Sequence, residues 1–156
     1  MWRGRSADIV DIVDDEFGGL DVLLKELPVS GFFGTNYLGT LAQAYREEGM
    51  TEEFDTTIQA MQSVLETQRA RGSDTWVHWM SQAEYAALTG DVEAAVGHLQ
   101  TALNKGYSSV VPPLRAFDLL EDDPRFQAIL ATSLERANQE RAELGMGPYE
   151  RPLFLE

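Results

Sequence analysis

Cysteine is missing from this chain, and basic residues are scarce in it. The 156 residues include 0 Cys, which excludes disulfide bonds and thiolate metal sites. There are 12 Lys and Arg against 26 Asp and Glu, and the formal net charge is −14 at pH 7. Because nucleic acids and anionic lipids are bound mainly through Lys and Arg, this balance argues against both as partners. A basic protein or peptide is compatible with it.

Long apolar runs are missing as well. No stretch of the sequence approaches the roughly twenty apolar residues needed to span a bilayer, so we expect no membrane partner. The compartment stays open, with the cytoplasm favoured. The length suits one structural domain with a core of its own. The abrupt start at Met1–Arg5 leads us to expect a segment of a longer protein.

The clearest pattern lies between Asp74 and Gly106, where the spacing predicts two helices joined by a tight turn. Gly90 suits the left-handed backbone that ends a helix, and Asp91 can accept hydrogen bonds from the amides that begin the next one. Apolar residues recur every three or four positions on both sides of this turn, as on the buried stripe of a helix. The two stripes are Trp76, Trp79, Met80, Ala83, Ala86 and Ala87, then Val92, Ala95, Val96, Leu99, Ala102 and Leu103.

The same periodicity predicts helices elsewhere. Two short helices separated by Gly18 and Gly19 are expected between Ser6 and Leu27, with Ser6 as a cap, and Asp74 is expected to cap the Trp-rich helix. Asp123 followed by Pro124 is typical of a helix start. The expected ranges are 31–48, 51–70, the pair described above, a connector from 107 and a last helix at 124–144, whose polar end from 136 should project into water or meet something outside this chain.

The turn glycines carry a resemblance to a known family. Gly49 and Gly90 are 41 positions apart, against roughly 34 residues in a tetratricopeptide repeat, yet each unit has that repeat's internal layout. The second unit matches its aromatic, small, glycine, small, bulky and small positions with Trp79, Ala83, Gly90, Ala95, Leu99 and Ala102. The first unit fits at Leu38, Leu41, Ala42, Tyr45 and Gly49 but carries Phe54 and Met61 where small residues are usual.

A second resemblance lies near the end of the chain. Leu114, Phe117–Leu120 and Asp122–Phe126 resemble the closing segment of C-terminal tetratricopeptide regions in bacterial multidomain signalling proteins. The resemblance implies an all-α fold, an α-solenoid of antiparallel helix pairs forming a right-handed superhelix, with a long C-terminal capping helix. The expected parts of one structural domain are an acidic helical pair at 1–30, two helix pairs at 31–106, a connector and capping helix at 107–145 and a tail at 146–156.

The sequence gives little support for a catalytic, cofactor or metal site. His78 and His98 lie on consecutive helices without the spacing of a metal pair, and His78 is expected to point away from the Trp stripe. The acidic cluster Asp11, Asp14, Asp15 and Glu16 lacks the calcium-loop pattern and is read as a solvated helix face. We therefore expect no enzyme, no cofactor and no metal ion.

A superhelical array can line its concave face with aromatic side chains that stack on a peptide. Tryptophans at this spacing are more often core residues, so a groove is the less common alternative. If a ligand groove exists, repeat geometry puts it along the first helix of each pair, through Tyr37, Gln43, Arg46, Trp79, Gln82 and Tyr85.

The resemblance implies a non-catalytic scaffold that binds a protein or peptide as part of a larger bacterial signalling protein. The alternative is a sensory or dimerisation module that regulates an attached cyclase, kinase or transcription-regulator domain, with a homodimer as its working form. An enzyme is a third alternative without a supporting constellation.

Overall fold

Helices account for all the regular structure that the computed structural model describes, which covers residues 5–26, 34–107 and 115–149. The prediction of an all-α chain is confirmed over these ranges, which contain no strand. The helices are α1 (Ser6–Phe17), α2 (Leu20–Glu26), α3 (Gly34–Glu47), α4 (Thr51–Ala70), α5 (Trp76–Leu88), α6 (Val92–Asn104), a 3-10 helix (Arg115–Leu120) and α7 (Pro124–Glu143). None of them is both long and apolar enough to cross a membrane.

Turn chemistry places most helix ends where the sequence predicts them. Gly90 takes a φ of +83°, in the left-handed region where a side chain is strained. Asp91 then caps α6, because its Oδ1 accepts the Ala94 N–H at 3.0 Å. Asp123 caps α7 in the same way, and its Oδ1 accepts the Arg125 N–H at 2.8 Å.

Two predicted caps are wrong. Ser6 does not cap α1, because its hydroxyl donates instead to the Glu47 carboxylate and so joins α1 to α3. Asp74 does not cap α5 either, since Thr75 occupies that position and accepts the His78 N–H. In both cases the polar side chain binds a residue distant in sequence, and a local sequence pattern does not predict such a contact.

The chain divides into two compact units, Met1–Ser73 and Asp74–Glu156. In the first unit α1 packs on α2 and α3, and α3 packs on α4. One cluster of its buried residues joins α1, α2 and α3 and consists of Val10, Val13, Leu20, Leu23, Leu41, Ala44 and Tyr45. The predicted division at residues 30, 106 and 145 within one domain stays a prediction.

In the second unit α5 packs on α6, the 3-10 helix packs on α5, and α7 packs on α6. Alanines at contact positions of α5 and α6, such as Ala83 and Ala95, are fully buried and let the helices approach closely. Phe117 of the 3-10 helix meets Phe126 of α7 with ring centroids 6.1 Å apart. Apolar packing thus extends from α5 to α7.

Candidate functional site

Four aromatic side chains form a surface across α5 and α6, called here the aromatic surface: Trp76, Trp79, His98 and Tyr107. Trp79 and His98 have ring centroids 5.5 Å apart, tilted by 37°. Trp76 and Tyr107 are 5.6 Å apart with a tilt of 48°. Both tryptophans are only half-buried, so part of each ring faces solvent. The arrangement offers aromatic area already held in place, which is typical of residues that dominate binding interfaces.

Polar contacts fix Trp79 within this surface. Its indole N–H donates to Asp74 Oδ1 at 2.8 Å. Asp74 in turn forms an ion pair with Lys105 at the end of α6. The hydrogen bond from Lys105 and then that from Trp79 lower the pKa of Asp74, which keeps this carboxylate ionised. The Trp79 ring is therefore oriented before any partner arrives.

The second unit holds three of the six predicted groove residues, and all three are half-buried on α5: Trp79, Gln82 and Tyr85. Gln82 Nε2 lies 3.5 Å from His78 Nε2, at the limit of a hydrogen bond. Because the three follow one another at intervals of three residues, they form one continuous stripe along the helix.

The first unit holds the other three, on α3. Gln43 is at the centre of a polar chain, since its amide oxygen accepts from the Arg46 guanidinium and its amide N–H donates to Glu47 Oε1 at 2.6 Å. Tyr37 packs against the core of the first unit. Its buried hydroxyl has no hydrogen-bond partner among the described residues, and burial raises its pKa. A groove that joins these residues to those on α5 stays a prediction.

The orientation predicted for α5 is wrong for His78, although Ala83, Ala86 and Ala87 of the predicted stripe are buried. His78 was expected to point away from the buried stripe, yet only 4 % of it is exposed, while Trp76 and Trp79 keep partial access to solvent. Ser81 and Glu84 continue the buried line from His78 at three-residue intervals. The error arises because α5 is apolar over more than half its circumference, so periodicity alone does not select one face.

Glu84 is the functional candidate that sequence reasoning missed. It is 1 % exposed, and neither carboxylate oxygen has a hydrogen-bond partner among the described residues. Burial without compensation raises its pKa well above 4.5, because the charged form loses its hydration. Burial therefore favours the neutral, protonated form of this carboxyl group. The only signal of this position in the sequence is that an acidic residue lies between Ala83 and Ala86, within a helix that is mostly apolar.

The described residues contain no group of three or more His, Asp or Glu side chains placed to hold one metal ion. The acidic residues of α1, including Asp11 and Asp14, are exposed to solvent.

No protein-family model, curated protein or solved structure matches this chain. The tetratricopeptide resemblance therefore depends on the spacing of Gly49 and Gly90 and on the residue types around them. For this reason we argue function from the geometry of these helices.

Proposed function

We propose that the chain is a non-catalytic scaffold that binds a protein or peptide, built as an α-solenoid of antiparallel, tetratricopeptide-like helix pairs. The larger protein to which it belongs is a bacterial signalling protein in this proposal. Such a scaffold binds through a preformed surface, so little ordering of its own chain opposes association.

The packing of the second unit supports the stacked architecture. The turn at Gly90 is short enough to fold α6 back on α5 as an antiparallel pair. The 3-10 helix then contacts α5 and α7 contacts α6, as the two halves of a following repeat would. Two contacts give α6 and α7 the same direction: Arg125 binds Glu93 near their starts, and Arg136 donates to the Leu103 carbonyl further along.

The observation that carries the binding function is the state of Trp79. A large aromatic ring that is half exposed, hydrogen-bonded at its edge and packed on His98 has already lost most of its side-chain freedom. Binding such a ring costs little further entropy, which is why Trp is enriched among the residues that dominate interfaces. The net charge of −14 favours a basic partner segment over an acidic one.

The proposal is tested by selecting peptides from a displayed random library against the full chain and measuring their affinity by fluorescence anisotropy. We expect basic peptides that carry an apolar side chain. Trp79→Ala should weaken them by about 2 kcal/mol or more, roughly 30-fold, as for a central interface residue. Gln82→Ala, which leaves the aromatic surface intact, should cause a smaller loss.

The matched control is Gln100→Ala, at an exposed glutamine of α6 outside the aromatic surface. It should leave affinity unchanged. Circular dichroism melting of each variant separates lost binding from lost folding. Repeated selections that enrich no peptide, or peptides that bind the Trp79→Ala and Gln82→Ala variants as well as the original chain, would contradict the proposal.

A second candidate function is the dimerisation module, and exposed apolar residues on the first two helices favour it. Ile12, Phe17 and Val22 are large, apolar and exposed on α1 and α2, which pack on each other. Covering them in a second copy would bury apolar area. Light scattering over a hundredfold range of concentration should then show a dimer that Ile12→Lys dissociates, whereas a monomer at every concentration counts against this candidate.

A further inference from the structure

The chain reverses direction after α7 and runs back along that helix. Gly145 takes a φ of +69° and donates its N–H to the Ala142 carbonyl. The next N–H, from Met146, bonds to the Arg141 carbonyl at 2.9 Å, which completes the pattern that ends many helices. As a result, Gly147 to Tyr149 lie beside the last turns of α7.

Asn138 holds the backbone of this returning segment. Its Oδ1 accepts the Tyr149 N–H at 2.7 Å, and its Nδ2 donates to the Tyr149 carbonyl at 3.1 Å. An Asn amide carries one acceptor and a donor group side by side, so it pairs with the main chain of one residue as a neighbouring strand would. This contact recognises backbone direction and leaves the side chain free to vary.

Arg141 adds recognition of the side chain. Its Nε donates to the Gly147 carbonyl at 2.6 Å, and its guanidinium carbon lies 4.0 Å from the centre of the Tyr149 ring. A cation at this distance from an aromatic face is attracted by the ring electrons. Because Asn138 and Arg141 are three residues apart, they lie on the same side of α7 and act on one segment.

We propose that the Asn138 and Arg141 face of α7 is a docking site for an extended segment of a partner protein with a glycine and, two residues later, an aromatic residue. The chain's own Gly147–Tyr149 is the resident ligand and must be displaced. This site is separate from the aromatic surface and does not depend on it.

Two features indicate that the resident segment is exchangeable and incomplete. Gly147 and Pro148 are exposed, so the contacts that hold the segment compete with water. Leu144 and Met146, at the reversal itself, remain 76 % and 49 % exposed. The chain's own segment leaves this apolar area uncovered, and a longer partner segment could cover it.

The covalent link sets how strongly the resident competes. A short flexible connection gives a local concentration on the order of millimolar. For the tethered segment to hold the site, the dissociation constant of the free segment has to lie near or below that concentration. A separate peptide should therefore bind measurably once loss of the Tyr149 ring weakens the resident.

The test uses the full chain with Tyr149→Ala and the capped peptide Met-Gly-Pro-Tyr-Glu as the probe, followed by ¹⁵N nuclear magnetic resonance. We expect amide signals at the end of α7 to shift, with a dissociation constant on the order of 1 mM. The original chain should bind the peptide about twofold more weakly, because a resident segment at a local concentration close to its dissociation constant occupies about half of the sites. A peptide with Ala in place of Tyr is the matched control and should bind more weakly still.

Two further variants in the Tyr149→Ala background locate the site. Asn138→Ala should abolish the shifts, and Arg141→Gln, which keeps the helix propensity but removes the cation, should remove the preference for the Tyr peptide over the Ala peptide. Absence of any shift at 10 mM peptide overturns the proposal, as do shifts that both variants leave unchanged. A concentration-dependent dimer of the original chain that Asn138→Ala dissociates would also overturn it, since the occupant would then be a second copy.

Discussion

Replacement of Glu84 by methionine should stabilise the chain, against the usual expectation for a change at a buried position. The carboxyl group is 1 % exposed and neither oxygen has a partner among the described residues. Leaving a polar group buried and unpaired costs about 1–3 kcal/mol. Methionine is unbranched and similar in length, adapts to irregular gaps and has nearly the same helix propensity as glutamate.

The expected gain in free energy of unfolding for Glu84→Met is therefore about 1–3 kcal/mol near neutral pH. In a chain of this size each kcal/mol raises the melting temperature by roughly 2–4 °C. Urea unfolding followed by circular dichroism measures the free energy, and a heating scan measures the temperature. A decrease on both measurements would show that Glu84 makes a favourable contact that outweighs its burial.

The dependence on pH separates ionisation from polarity. Because the pKa of Glu84 is raised in the folded chain, the folded state binds more protons than the unfolded state above pH 4.5. Its contribution is complete below the unfolded pKa and is lost as pH rises through the folded one. Glu84→Gln has nearly the same shape and no charge, so its advantage over the original chain should grow between pH 5.5 and pH 8.5.

The matched control is Glu135→Gln, at an exposed position on α7. It should give no pH-dependent difference of comparable size. If Glu84→Gln and the original chain keep the same difference in unfolding free energy from pH 5.5 to pH 8.5, the folded and unfolded states bind the same number of protons in that range. The buried carboxyl is then already ionised at pH 5.5, and the reasoning fails.

Three smaller predictions concern charge, ionisation and backbone. Arg125→Met should raise the pKa of Asp123, which the hydrogen bond from Arg125 now lowers from 3.8 to about 2. As pH falls, the stability that this carboxylate gives above pH 3.8 should then be lost at a higher pH than in the original chain. A ¹³C carboxyl titration checks this. Burial raises the pKa of Tyr45 to about 12, so the stability it contributes below pH 10 disappears towards pH 12, and Tyr45→Phe should remove the last step of the alkaline absorbance titration. Gly90→Ala should lower the unfolding free energy by roughly 1–2 kcal/mol through the left-handed backbone alone, because an added Cβ meets no atom within 4 Å. Gly97→Ala, inside α6 and equally uncrowded, should instead raise it by roughly 0.5–1 kcal/mol in the same urea assay.

The positions of the helices could be predicted because local chemistry decides them. A glycine that takes a left-handed backbone, as at Gly90, and a carboxylate that accepts an amide hydrogen bond, as at Asp91 and Asp123, act within four residues of the chain. The caps predicted at Ser6 and Asp74 failed because those side chains bind residues more than 30 positions away. Sequence spacing contains no information about such partners.

The candidate site was predicted less well, because α5 has no single apolar side. Trp76 and Trp79 matched a buried stripe, yet part of each ring is exposed, and the line from His78 to Glu84 is buried together with the alanines of that stripe. Large aromatic residues bury much area even when part of the ring is exposed, so their presence in a stripe does not show which side faces the core. The cost of burying Glu84 opposes the burial of this line, which is why its replacement by an uncharged residue is expected to stabilise the chain.

The sequence is also ambiguous at the end of α7, where polar residues do not show whether they face water or bind other parts of the protein. Polar residues from 136 onward predict a helix end that projects into water or meets something outside this chain, but Arg136 donates to the Leu103 carbonyl while Asn138 and Arg141 hold the backbone of a returning segment. A polar side chain that pairs with a backbone group gives the same sequence pattern as one that binds water, because both avoid the apolar core. A side chain that already pairs with peptide groups can pair in the same way with another extended segment of the same chemistry. Polar helix ends in this chain are therefore where binding should be sought, alongside its exposed aromatic rings.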